Sequence, residues 1–167
     1  MRATIVSTVL LLWLAACGPQ PAPPAIATDD AFYAWDFEMS SLAGETYRLS
    51  DQRGQWVILN FWATWCVPCV EEMPELQAIA EAHADELLVL GINISEDASD
   101  VRAFARDHNI QFPLLIDPPP SVAQDYQVIS LPQTVIVDPS GELVWRQFGP
   151  IDLDSFEIVF ADLRQQY

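Results

Sequence analysis

Cys66 and Cys69, two cysteines separated by two residues, are the side chains of this sequence with the clearest capacity for chemistry. They follow an apolar run and begin a stretch that is predicted to be helical. Residues three apart on a helix lie on one face, so the two sulfurs can form and break a disulfide with little backbone movement. Cys66 falls at the predicted first turn, where free amide N–H groups and the helix dipole favour the nucleophilic thiolate. No Arg occurs between Asn60 and Leu76, so this stabilisation has to come from the helix end.

A zinc site and a purely structural disulfide are the alternative interpretations of this pair. A closed zinc site needs four ligands, and beyond the pair the chain offers only Cys17, His83 and His108. A structural disulfide stabilises a protein by closing a long loop, whereas this one would enclose two residues. The spacing therefore favours reversible dithiol–disulfide chemistry.

The elements that would position the pair alternate between strands and helices. The apolar run at residues 56–62 predicts a central strand covered on both faces. Residues 66–84 predict the helix that starts at the pair, with Pro74 expected to kink it. The other predicted strands are residues 35–39, 46–49, 87–94, 112–116, 133–137 and 142–148, and the other predicted helices are residues 98–109, 121–126 and 152–166. Alternating strands and helices imply crossover connections and the last hairpin implies an antiparallel edge, so we predict an α/β fold around a mixed sheet.

Composition excludes several classes of protein. A chain of 167 residues with 51% apolar residues can bury one ordinary core, which excludes a disulfide-stapled miniprotein and a disordered chain. The formal net charge is -17, and the seven basic residues are all Arg. We therefore expect no nucleic-acid partner, because phosphate binding depends on clustered positive charge.

Residues 1–16 have the features of a lipoprotein signal peptide. A short basic start precedes an apolar run of about a dozen residues, which is too short to span a bilayer. The run ends in a Leu-Ala-Ala-Cys segment that resembles the bacterial lipobox, which predicts cleavage before a lipidated Cys17. Residues 17–30 would then be the lipidated cysteine and a Pro-rich linker, and residues 31–167 the folded domain. Acyl chains hold a domain at a bilayer, so the predicted location is extracytoplasmic and lipid-anchored to a bacterial membrane.

Three segments around the cysteine pair resemble the thioredoxin superfamily. They are Phe61–Cys69, Glu72-Met73-Pro74 and Ile129–Thr134. Together they are similar to the TlpA/ResA/DsbE-like thiol-disulfide oxidoreductases, which are membrane-associated, and the similarity runs from Trp35 to Tyr167. It implies a thioredoxin-like fold whose mixed central sheet is flanked by helices. An N-terminal hairpin and an inserted helix and strand between Ile94 and Ile116 complete the expected fold.

The resemblance also implies roles for individual residues. Cys66 is the attacking thiolate, Cys69 is the resolving thiol, and the two form the redox disulfide. Pro132 corresponds to the cis-proline that lies beside the sulfurs. Glu72 corresponds to the acid that exchanges a proton with Cys69. Asn60 stands where cytosolic thioredoxins have a buried Asp, which is consistent with Glu72 handling the proton.

The function implied by the resemblance is reduction of disulfides in exported proteins, apocytochrome c among them. A membrane electron donor of the DsbD/CcdA type would recharge the protein, and the exchange requires no cofactor and no metal. Leu131 stands where close relatives often have Thr, so the substrate preference stays open. Two alternatives are a thioredoxin-fold thiol peroxidase, which the cysteine spacing disfavours, and a copper metallochaperone. The latter needs a wider cysteine spacing and a histidine after the Pro132 segment, where the sequence has none.

Overall fold

The structure is a computed structural model that describes residues 33–167, so the predicted signal peptide, Cys17 and the linker up to residue 30 lie outside the described residues. The strands are β1 (Glu38–Ser41), β2 (Thr46–Arg48), β3 (Trp56–Trp62), β4 (Leu87–Asn93), β5 (Leu114–Ile116), β6 (Gln133–Val137) and β7 (Leu143–Phe148). The α-helices are α1 (Val67–Ala82), α2 (Ala98–Asp107), α3 (Pro120–Asp125) and α4 (Leu153–Gln166), and a 3-10 helix spans Leu49–Gln52. None of the helices in this range is long and apolar enough to cross a membrane.

The strands form one mixed sheet in the order β2-β1-β5-β4-β3-β6-β7. The β3–β4 and β4–β5 pairs are parallel, and the other pairs are antiparallel. The inserted α2 and β5 place a strand between β4 and the hairpin of β1 and β2. The predicted α/β fold, N-terminal hairpin, central insertion and antiparallel closing hairpin are therefore confirmed.

Strand β3 is the centre of the hydrophobic core, and all seven of its residues are buried. On one face Ile58 and Trp62 belong to a cluster with apolar side chains of α1 and α4. On the other face Leu59 and Phe61 pack in a cluster that includes Tyr126 at the end of α3. Burying one large apolar side chain stabilises the fold by about 1.5–3 kcal/mol. The prediction of a central strand covered on both faces is confirmed.

Two strands start two or more residues later than predicted. The strand predicted for residues 112–116 starts at Leu114, because Pro113 has no N–H to donate to the sheet. Pro113 still accepts a hydrogen bond from the amide of Gly91 at 3.0 Å. The first strand spans Glu38–Ser41 instead of residues 35–39, and Tyr33 before it makes an isolated bridge with Glu142.

Packing at the β4–β5 seam can be tested with Gly91→Ala. A Cβ at this position would lie 2.6 Å from Cδ2 of Leu114 and 3.2 Å from Nε1 of Trp62. Overpacking of a core costs about 1–3 kcal/mol, so we expect a loss of that size in the free energy of unfolding, measured by urea denaturation. Leu114→Ala should relieve the clash, so the double variant should lose less than the sum of the single variants. Additive losses would contradict the steric explanation.

Candidate redox site

The two cysteines lie in the turn after β3 and at the start of α1, and they are joined by a disulfide with their Cα atoms 5.2 Å apart. Cys66 is the N-cap residue of α1, with extended backbone angles. Its Sγ accepts a hydrogen bond from the amide of Cys69 at 3.3 Å. Val67 and Pro68 occupy the first helical positions, where a proline's missing N–H leaves no bond unmade. The sulfur of Cys66 is thus held against the amide end of the helix.

The two sulfurs differ in access. The Cys66 residue is 6% exposed and the Cys69 residue is fully buried. Cys66 lines an open groove of about 470 Å³ at the surface. A visiting thiol or disulfide can therefore reach Cys66, while Cys69 lies behind it.

The groove beside Cys66 is apolar, and among the described residues that line it Cys66 is the one with an ionisable side chain. Its lining residues are Trp65, Cys66, Pro68, Ile94, Ala123, Val128, Ile129, Ser130 and Leu131. Trp65 and Ile129 are 67% and 80% exposed, so apolar surface faces solvent beside the disulfide. Exposed apolar surface of this kind is typical of a site that contacts another polypeptide.

The Pro132 loop forms one side of the groove. The peptide bond between Leu131 and Pro132 is cis, as the resemblance implies. Leu131 lines the groove with Cys66, while Pro132 is buried and its carbonyl accepts a hydrogen bond from the amide of Gly149 at 2.9 Å. β6, which follows the loop, begins beside the end of β3, and this pairing brings the loop to the cysteines.

Glu72 is buried on α1, one turn after Cys69. Its Oε1 accepts a hydrogen bond from Nδ2 of Asn60 at 2.8 Å, and its Oε2 accepts one from the amide of Ile151 at 2.9 Å. Burial raises the pKa of Glu72 from its ordinary value of 4.5 to about 7, although both hydrogen bonds favour the carboxylate and oppose the rise. Nδ2 of Asn60 also donates to Oγ1 of Thr134 at 3.0 Å, which fixes the amide that binds Glu72. This carboxyl group can therefore bind and release a proton near neutral pH.

Glu96 is a residue of the site that the sequence analysis missed. Its carboxylate accepts hydrogen bonds from the amide of Thr64 at 2.7 Å, from the hydroxyl of Thr64, and from Nδ2 of Asn93 at 2.7 Å. These bonds hold the turn that leads from β3 to Cys66. The strand topology could have pointed to Glu96. The parallel strands β3 and β4 end at the same edge of the sheet, and Asn93 and Glu96 lie there.

The structure thus brings four of the five residues singled out in the sequence to one end of the sheet. Cys66, Cys69 and Glu72 lie along the first turns of α1, and the loop at Pro132 lies across the groove. Cys17 falls outside the described residues. The roles assigned to these residues stay predictions, whereas their proximity is a property of the fold.

Comparison with known proteins identifies the family. The model of the AhpC/TSA family matches residues 33–146. The thiol-disulfide oxidoreductase ResA of Geobacillus kaustophilus (strain HTA426) is 35% identical over 149 residues, which are 85% of this chain and 84% of ResA. The chain belongs to the AhpC/TSA family, in the TlpA/ResA/DsbE-like branch of the thioredoxin superfamily.

Two further relatives agree with this assignment. The thioredoxin-like protein YneN of Bacillus subtilis (strain 168) is 42% identical over 109 residues, and the match spans 64% of this chain and 64% of YneN, less than two thirds of either. The crystal structure of the pneumococcal exposed lipoprotein thioredoxin Etrx1 from Streptococcus pneumoniae strain TIGR4 has a TM-score of 0.70 and 30% identity, and covers 77% of this chain and 99% of Etrx1. The predicted family and fold are confirmed, and this thioredoxin-superfamily protein is a thiol-disulfide oxidoreductase.

Burial of Glu72 predicts a specific dependence of stability on pH. Its pKa is about 7 in the folded protein and 4.5 when exposed, so folding takes up a proton between these values. The stabilisation from protonated Glu72 is complete below about pH 4.5 and is lost as the pH rises through 7. Because a tenfold change in proton affinity is worth about 1.4 kcal/mol, the loss is about 3 kcal/mol.

Glu72→Gln should abolish this loss, as measured from urea unfolding of the oxidised protein at pH 4 to 8. The quantity to compare is the difference in unfolding free energy between variant and wild type at each pH, which removes the contribution of the other acids. Glu71→Gln, at the exposed neighbouring position, should leave the wild-type dependence in place. Equal pH dependence in wild type and Glu72→Gln would show that Glu72 does not titrate in the folded protein.

Proposed function

We propose that this protein reduces disulfides of exported proteins, apocytochrome c among them, outside the cytoplasm and while held at a bacterial membrane by lipid on Cys17. The observation that carries the proposal is the unequal access of the cysteines at the start of α1, with Cys66 facing an apolar groove and Cys69 buried behind it. The names of two relatives add support. One is a thiol-disulfide oxidoreductase and the other is an exposed lipoprotein thioredoxin.

The reaction starts from the dithiol form. The Cys66 thiolate attacks one sulfur of the client disulfide, the client S–S bond breaks, and the other client sulfur leaves as a thiolate that takes up a proton. Cys69 then loses its proton and attacks the Cys66 sulfur in the mixed disulfide. This step forms the Cys66–Cys69 disulfide and releases the second client sulfur, which is protonated in turn. Two electrons and two protons have then passed to the client.

The site supplies what each step requires. The Cys66 thiolate is favoured by the helix end, where the Cys69 amide already donates a hydrogen bond to its Sγ. Glu72 has a pKa near 7 and follows Cys69 by one turn, so it can accept the Cys69 proton at the resolving step and return it later. The apolar groove can hold the residues of an unfolded client that flank its cysteine.

The oxidised protein must then regain two electrons. A membrane electron donor of the DsbD/CcdA type would supply them by the same exchange in reverse. A donor thiolate attacks Cys66 and forms a mixed disulfide, and a second donor thiol completes the transfer. The donor ends as a disulfide and this protein as a dithiol, so sulfur bonds, electrons and protons balance over the cycle.

The division of roles between the cysteines can be tested by trapping. Cys69→Ala leaves the attacking sulfur but removes the resolving one, so mixed disulfides with clients should accumulate. They are detected as bands on non-reducing gels that disappear with reductant, and mass spectrometry should place the linkage at Cys66. The matched variant Cys66→Ala should give no such bands. Equal trapping by both variants, or linkage elsewhere, would contradict the assignment.

The direction of exchange can be tested from the midpoint potential of the Cys66–Cys69 couple. A reductant should lie near thioredoxin, about -270 mV, and not near the oxidant DsbA, about -120 mV. Equilibration of the protein with thiol–disulfide buffers measures this value. A midpoint near the oxidising end overturns the reductase proposal. Consumption of hydrogen peroxide at turnover rates by the reduced protein would favour the thiol peroxidase alternative instead.

A further inference from the structure

The segment between β7 and α4 binds two separate parts of the redox site through its main chain. The amide of Gly149 donates to the carbonyl of Pro132 at 2.9 Å. Two residues later, the amide of Ile151 donates to Oε2 of Glu72 at 2.9 Å. Residues 149–151 therefore bind both the Pro132 loop, which forms one side of the groove, and the carboxyl group of Glu72.

We propose that residues 149–151 are a positioning segment that fixes the Glu72 carboxyl group and the Pro132 loop relative to each other. These two groups act at different stages, since the loop lines the groove for the client and Glu72 serves the resolving cysteine. This inference rests on the proposed dithiol–disulfide exchange for its functional meaning. The contacts themselves are independent of that proposal.

The positioning segment is held at several points. The carbonyl of Pro150 accepts a hydrogen bond from Nε2 of Gln147, and the proline ring restricts the backbone at this position. The side chain of Ile151 is buried in the cluster that contains both cysteines. The amide of Leu153 donates to Oε2 of Glu75 on α1 at 3.1 Å. The positioning segment therefore cannot move without a movement of α1.

A change of charge at Glu72 is transmitted by this arrangement. The groups that face its carboxyl group are the side-chain amide of Asn60 on β3 and the main-chain amide of Ile151, with Cys69 one turn earlier on α1. A hydrogen bond to an ionised carboxylate is shorter and stronger than one to a neutral carboxyl group. Loss of the proton from Glu72 therefore draws the Ile151 amide closer. Gly149, two residues before Ile151, passes this movement to the carbonyl of Pro132.

Gly149→Ala is the variant that disturbs the positioning segment. The φ of Gly149 is +93°, which side chains rarely adopt, and a Cβ there would meet nothing within 4 Å. The substitution therefore acts by moving the backbone and not by a clash. We expect the titration of the Glu72 carboxyl, followed by its 13C chemical shift in the dithiol protein, to move to higher pH because the carboxylate loses an amide donor. We expect kcat/KM for reduction of a protein disulfide to fall about tenfold.

Gly54→Ala is the matched control. Its φ is +97°, a Cβ there would also meet nothing within 4 Å, and its amide donates to the carbonyl of Pro139 at 2.9 Å. Gly54 precedes β3, at the opposite end of the strand from Cys66. We expect Gly54→Ala to lose a similar amount of stability while keeping the wild-type Glu72 titration and client rate. The proposal is overturned if Gly149→Ala and Gly54→Ala show the same Glu72 titration and the same rate of client reduction.

A measurement on the wild-type protein decides the question even if Gly149→Ala does not fold. The amide resonance of Gly149 should shift with pH at the midpoint of the Glu72 carboxyl, and this shift should vanish in Glu72→Gln. The Gly54 amide should show no shift with that midpoint. A Gly149 resonance that ignores the Glu72 midpoint would sink the positioning proposal. If the wild type reduces no protein disulfide, the proposed function is wrong. The resonance measurement still tests the positioning segment, because it does not depend on client reduction.

Discussion

The burial of β3 on both faces determines where the redox pair lies. Apolar side chains of the strand pack alternately against α1 and α4 and against the cluster around Tyr126. The chain can leave such a strand only at the sheet edge, where the turn held by Glu96 leads directly into Cys66. The same edge receives the start of β6 and with it the Pro132 loop. The packing of the sheet therefore brings the cysteines and the Pro132 loop to the same place.

Asn60 is the polar exception in β3, and it links the core to the chemistry. Its side chain faces α1 and binds Glu72, so an ionisable group is held inside the core with a defined hydrogen-bond partner. Keeping a carboxyl group there is unfavourable for folding once it is ionised. An acid that titrates near neutral pH next to a thiol is useful for proton transfer, and functional sites commonly sacrifice stability in this way.

The sequence predicts the parts of this molecule that depend on local spacing. The cysteine pair at a helix start and Glu72 one turn later follow from the helical repeat and from a resemblance in that segment. The beginning of β5 was predicted too early because Pro113 interrupts a run that otherwise looks like a strand. The contact of Glu72 with Ile151 could not be predicted, since a main-chain amide has no signature in residue type and the two positions are far apart in the chain. Glu96 was missed because its role depends on which strands become neighbours.

Strands β1 and β5 are joined by fewer residue pairs than β3 and β4. Two residue pairs join these strands, Ser40 with Ile116 and Ser41 with Leu115, whereas seven pairs join β3 to β4. Regions with few cross-connections open more readily than the body of a domain. The hairpin of β1 and β2 thus has few backbone pairs to the rest of the sheet, and it is held there also by Met39, which packs in the core cluster of Leu59 and Phe61. Opening of this hairpin would therefore uncover core surface that it shares with β3, the strand that leads to the cysteines.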